Sequence, residues 1–166
     1  MEARDSMPVG IIIERRMIDN PWESFTWRAV AVLPGAPEVD EWRVLAEAPE
    51  RVCYHAGTLP LELHVKETEG YRLNLATGIP TVYVVLRYDD EVEAGIVPFL
   101  ATVSPYEAQN CLDGDEDLVE PVAMPDVVQA WLADFIAKYH VDEPFKKRKR
   151  KPHDPRKGEA VRGGRP

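Results

Sequence analysis

Between Arg51 and Leu75 the chain reads RVCYHAGTLPLELHVKETEGYRLNL. Apolar and polar residues alternate through it. Val52 and Tyr54 stand against Arg51, Cys53 and His55; Leu61, Leu63 and Val65 against Glu62, His64 and Lys66; Tyr71, Leu73 and Leu75 against Arg72 and Asn74. Successive side chains of a strand point to opposite faces. The pattern therefore predicts antiparallel strands with one face on a core and the other towards water. HAGTLPLE and KETEGY supply the turns of a predicted meander.

The strand reading extends outward from Met7 to Val103. VGIIIERR is β-branched and bounded by Pro8 and by the Asn20-Pro21 turn signal. FTWRAVAVL, ended by Pro34-Gly35, is apolar on both faces towards its end and reads as a central strand. EWRVLAE follows. TVYVVLRY reads as a second central strand, and YDDEVEAG as the solvated turn to IVPFLATV. The period then changes. Ser104, Pro105 and Glu107 form a capping box with proline at the first helical position. After an extended LVEPVAM, a helix starts near Pro125. Val127, Trp131, Phe135 and Tyr139 recur every fourth residue with Val128, Leu132 and Ile136 beside them, a wide apolar stripe that has to pack on something. Lys138 and His140 complement the dipole in its last turn. The expected fold is α+β: a mainly antiparallel sheet, sandwich or partly open barrel, with C-terminal helices and a disordered basic tail.

Charge is distributed unevenly. Residues 144–166 carry ten Lys/Arg and two acids, whereas residues 1–143 carry ten Lys/Arg against 27 acids. The net charge of −9 conceals an acidic body with a basic appendage. One globular domain over residues 1–143 is expected, with a tail too poor in apolar surface to order by itself. VGIII is followed at once by Glu14-Arg15-Arg16, which is not a signal-peptide pattern, and no apolar run approaches the ~20 residues that span a bilayer. Cys53 and Cys111 make no disulfide framework and read as reduced thiols, in keeping with a cytoplasmic protein.

Chemistry-bearing residues are sparse. In the meander, Cys53, His55 and His64 share the wet face, where Cys and His on adjacent strands could hold zinc or a soft transition metal. The spacing supplies no sequence-local ligand pair and no fourth ligand, and solvated polar surface accounts for the same residues, as it does for an acid–base trio of His55, Glu62 and His64. DGDED at Asp113–Asp117 has acids at alternate positions but puts Leu118 where a calcium loop needs glycine. No dinucleotide, phosphate-loop, nucleophile-elbow or zinc-protease motif occurs, and the expectation is a non-enzymatic protein without a cofactor. Of the four tryptophans, Trp27 aligns with a core face and Trp131 with the helix stripe. Trp22, in the loop DNPWES, either closes an end of the sheet or stands exposed as a partner anchor, and it is assigned to the partner. Lys146, Lys147, Arg148, Lys149, Arg150 and Lys151 form an unbroken cationic run suited to an acidic protein partner. The same run suits nucleic acid phosphates, but it lacks interleaved aromatics for base stacking, and the acidic body repels a polyanion.

MPVGIIIERR, NPWESFTWRAVAVLPGAP, YHAGTLPLELHVKETEGYRLNL, PTVYVVLR, TVSPYEAQ and EPFKKRKRKPHDP together resemble a proteobacterial family of domains of unknown function. The resemblance runs from Met7 to about Pro152 and includes the basic run. It implies genes placed near those of molybdenum-dependent formate dehydrogenases and their maturation factors, and so a bacterial cytoplasmic setting. It supplies no catalytic residue. The expected function is an accessory or interaction protein, assisting assembly or maturation of such an enzyme. The alternatives are a nucleic-acid-binding regulator using the run and a metal-binding protein using the Cys/His face.

Overall fold

In the computed structural model, residues 4–22, 24–114 and 117–141 are described. Val9, Ile11 and Ile13 are wholly buried on one face of a long first strand, β1 (Arg4–Met17). Full burial of such a side chain stabilises by about 1.5–3 kcal/mol, so this strand sets the core. It pairs antiparallel with β2 (Phe25–Pro34) on one side and with β4 (Arg51–His64) on the other. A short β3 (Arg43–Ala48) pairs with the first part of β4. A 3-10 turn (Val65–Glu67) and helix α1 (Thr68–Ala76) follow, then β5 (Thr81–Tyr88) and β6 (Ile96–Thr102). Helix α2 (Pro105–Leu112), β7 (Asp117–Ala123) and helix α3 (Asp126–Tyr139) complete the described chain.

Among the described residues the seven strands form one sheet, ordered β2-β1-β4-β6-β5-β7 with β3 off that path. Its two ends return towards each other. A Glu120 carboxylate oxygen on β7 accepts from the Ala29 N–H on β2, so a side chain bridges a seam that no strand ladder closes. The result is a nearly closed, barrel-like sheet. It is mainly antiparallel, with β4 and β6 parallel at Leu61 and Ala101. Register shifts occur at Ile11/Ile12, Val44/Ala46 and Val85/Leu86, and bulges of this kind bend and twist the strands that carry them. The helices pack against it, with Val128, Leu132 and Phe135 of α3 buried in the same core as Val82, Val84 and Leu86 of β5.

The expected fold class holds, with three corrections inside it. First, the meander is replaced. HAGTLPLE lies within the continuous β4, and Tyr71–Leu75 lies in α1 rather than in a strand. Second, β2 is an end strand facing β7 across the seam, not a central strand. Val30 and Leu33 on its outer face are exposed, while Ala29 and Val32 point to the core. Third, the buried line of α3 runs through Val128, Leu132 and Phe135, leaving Val127 61% exposed. The other elements fall where the residues place them. β5 is central as expected. Ser104 caps α2, its Oγ accepting from the Glu107 N–H at 3.2 Å, with Pro105 in the first turn. No described helix is long and apolar enough to cross a membrane. The 143/144 domain boundary, the run Lys146–Lys151 and the expected disorder of the tail lie outside the described residues.

Candidate interaction surface

The β1–β2 hairpin ends in a loop whose residues dictate its shape. Met17 pairs with Phe25, and the Ile18 N–H donates to the Ser24 carbonyl at 3.2 Å. Asn20 Oδ1 accepts from the Trp22 N–H at 2.9 Å, a side-chain-closed turn with Pro21 fixing φ in its middle. That geometry holds Trp22 at the tip with its side chain 89% exposed, flanked by exposed Met17 and Phe25. Of the two placements open to Trp22, the exposed one is therefore the one adopted.

Two of the other tryptophans pack against the core. Trp27, Trp42 and Tyr54 pack together with ring centroids 5.6 to 6.0 Å apart. The Arg15 guanidinium lies 5.8 Å from the Trp27 and Tyr54 centroids and 4.6 Å from that of Phe25. This cation–π stack links the packed cluster to the edge of the exposed tip. Trp131 is half-buried, its indole N–H donating to Asp5 Oδ2 at 2.9 Å. Trp22 alone of the four tryptophans is left in solvent.

The Cys53, His55 and His64 trio is not assembled. All three are on β4, and eleven positions separate Cys53 from His64, roughly 35 Å along a strand. Cys53 stands opposite Glu14 and Ala46, and His64 opposite Arg4. The bulge that leaves Ala56 without a partner on β1 turns His55 inward, and it is 5% exposed where a solvated face was expected. Its Nε2 lies 2.9 Å from Thr58 Oγ1, whose own hydrogen goes to the Pro37 carbonyl, so the imidazole donates from Nε2. Gly10 makes room for that ring: a Cβ there would lie 2.8 Å from His55 Nε2 and from Ala36 Cβ. Among the described residues, no group of three or more His, Cys, Asp or Glu side chains is arranged to hold a metal. Cys53 and Cys111 are both free thiols, and burial with the nearby Asp117 pushes the Cys111 thiol up.

A polar cluster that the alternation pattern does not reveal lies where β4, α1 and α2 meet. Ser104 is buried, and its Oγ donates to Glu67 Oε2 at 2.9 Å while accepting from the Glu107 N–H. The hydroxyl is thus committed twice as a helix cap, not poised as a nucleophile. Burial and then the Glu67 charge hold the Glu107 carboxyl above the usual carboxylate range. Tyr71 is buried beneath them, its oxygen accepting from the His64 N–H at 3.0 Å. Burial drives its phenol up to about 12, with Glu67 and Glu107 adding to the shift. Only the Ser104–Glu107 cap is legible in the sequence. Glu67 and Tyr71 come from elements whose juxtaposition no local pattern encodes.

Asp117 of the DGDED stretch begins β7 and pairs with Arg87 at 3.0 Å, while Asp115 and Glu116 lie outside the described residues. Comparison with curated proteins and with solved structures gives no match. Residues 8–149 match the model of the family described as Protein of unknown function (DUF3305), and the chain belongs to that family.

Proposed function

We propose that this protein is a non-enzymatic accessory protein that docks on an acidic protein partner in the bacterial cytoplasm. Trp22 is the apolar anchor, and Lys146–Lys151 supply the electrostatic attraction that brings the partner in. The observation that carries this reading is the display of Trp22. A turn built from Asn20 and Pro21 holds a large aromatic in solvent while the other tryptophans pack or half-bury. Exposing so large an apolar surface is unfavourable unless a partner covers it. The run of six cations on an otherwise acidic chain supports an acidic partner. The family resemblance points to a subunit or maturation factor of a molybdenum-dependent formate dehydrogenase.

Binding of purified subunits and maturation factors of that enzyme tests the reading. Affinity is expected to fall as salt rises, and Trp22→Ala to weaken it by about 2 kcal/mol or more, roughly 30-fold. Salt-independent affinity, or an unchanged Trp22→Ala variant, contradicts the corresponding half. The same cationic run favours one competing reading, a nucleic-acid-binding regulator. Its signature is affinity for DNA or RNA that falls steeply with salt and is lost when Lys146–Lys151 are reversed in charge.

A further inference from the structure

The outer face of the sheet carries a cationic groove beside the Trp22 loop. Residues directly opposite each other on paired strands share a face. In the rung next to the pair Met17–Phe25 that closes the loop, Thr26, Arg16 and Arg51 therefore stand side by side on β2, β1 and β4. Two positions further along, Arg28, Glu14 and Cys53 do the same on that face. Arg15, between the two rows, points the other way, towards Phe25, Trp27 and Tyr54. A groove of about 550 Å3 opens here, with Glu14, Arg16, Thr26, Arg28, Val30 and Pro121 of β7 in its walls.

Charge in the groove runs against the composition of the body. Residues 1–143 hold 27 acids to ten Lys/Arg, yet these two rows hold Arg16, Arg28 and Arg51 to the single carboxylate of Glu14. Arg16 and Arg51 are directly opposite each other, an arrangement that destabilises a sheet when no anion is near. Glu14 pairs with Arg16 at 3.3 Å, its side chain only 16% exposed. Arg28 and Arg51 are exposed, and among the described residues neither makes a hydrogen bond or ion pair. Glu120, the carboxylate whose charge Arg28 offsets, is already taken up by the Ala29 N–H.

Guanidinium groups grip carboxylates through paired N–H donors. A nucleic acid strand fits less well. Its phosphates continue past the groove over an acidic body, and the groove walls offer no ring on which a base could stack. We infer that this groove is the carboxylate-binding part of the docking surface: Arg16 and Arg28, with Arg51 alongside, take Asp or Glu side chains of the protein partner while Trp22 at the hairpin tip enters an apolar pocket of that partner. The inference rests on the reading of Trp22 as the partner anchor. It adds a short-range contact to the attraction supplied by Lys146–Lys151.

NMR of the arginine Nε–Hε groups and backbone amides of the full chain, titrated with a blocked hexaglutamate peptide, tests it. Each arginine reports separately, so peptide held by the cationic run does not mask the groove. Saturable shifts are expected at Arg16 and Arg28, larger than at exposed Arg4 at the other end of β1. Arg28→Glu, at an exposed position, should weaken the binding read at Arg16 roughly tenfold. A hexaglutamine peptide should move neither. Shifts confined to residues 146–151, or as large at Arg4 as at Arg28, overturn the inference. Shifts at Arg16 and Arg28 with a single-stranded DNA dodecamer but not with the peptide make the groove a phosphate site and overturn it too. Binding of the purified enzyme subunits and maturation factors separates the two readings. A loss of affinity on Trp22→Ala with none on Arg28→Glu overturns the groove alone. Peptide shifts at the groove without any binding of those proteins support the carboxylate site and overturn the partner named for it.

Discussion

His55 and Gly10 show how much a single residue pair decides. The ring is buried against β1 only because position 10 has no side chain, with 2.8 Å left for a Cβ against Nε2. Gly10→Ala is expected to destabilise the protein by about 1–3 kcal/mol through overpacking, read from the midpoint of urea unfolding. His55→Ala in the same chain relieves the contact with the ring but not the one with Ala36 Cβ, and should recover only part of the loss. Tyr71 supplies a test in pH. Its folded-state phenol is raised to about 12, against about 10 for an ordinary tyrosine. The stability it contributes is therefore complete below pH ~10 and is lost as pH rises towards 12. In a phenolate absorbance titration Tyr71 should ionise late, and Tyr71→Phe should remove that step. Sequence patterns fail at residues of this kind. His55 carries no local mark of burial, since its inward turn depends on the bulge at Ala56, and a bulge is set by the partner strand. At Trp22 the turn is legible in Asn20-Pro21, but the sequence leaves the side chain's placement open; the structure puts it at the tip of the hairpin turn, where it has little to pack against.

At the scale of elements, most strands and the starts of α2 and α3 can be read from period and punctuation, and the exceptions have physical causes. Gly57 and Pro60 look like a turn, yet β4 runs through them. Pro60 stands opposite Pro8 of β1, so the two missing N–H groups fall at one ladder position and spare the neighbouring ones. Helix α1 resembles a strand in sequence because its buried face carries a polar residue. Asn74 lies beside Tyr71 at helical spacing and is buried, whereas Leu73, which the alternation places inside, is exposed. The asparagine is there to clamp. Its Nδ2 donates to the Thr81 and Val103 carbonyls, and its Oδ1 accepts from the Thr81 N–H, tying α1 to the start of β5 and the end of β6. The seam between β2 and β7 rests on Glu120 in a similar way. Burial raises its carboxyl, against the lowering effects of the Ala29 N–H and Arg28, so the bridge is held at some desolvation cost. Glu120→Ala leaves the Ala29 N–H without its acceptor and should cost about 1–3 kcal/mol, with faster hydrogen exchange at Ala29. Glu120→Gln retains an acceptor and should lose less.

For the whole molecule, the barrel-like sheet explains why an apolar tip is tolerated. Trp27 and Trp42 pack against the core and on Tyr54, and the helices cover other core surface, so Trp22 is not needed for packing. Trp22→Ala should accordingly change stability by no more than about 0.5 kcal/mol in urea unfolding, which makes it a clean probe of binding. Closure of the sheet is not legible in the sequence, because the seam joins β2 to β7 through a side chain whose acceptor lies 91 positions from the donor. Docking through Trp22 and the cationic run is tested most directly by a nuclease-treated capture from host lysate, identified by mass spectrometry. It compares the full chain, its Trp22→Ala variant and a chain ending at Phe145. Formate dehydrogenase subunits or maturation factors are expected with the full chain, sharply reduced with either altered bait. Recovery of the same proteins by all three baits contradicts it.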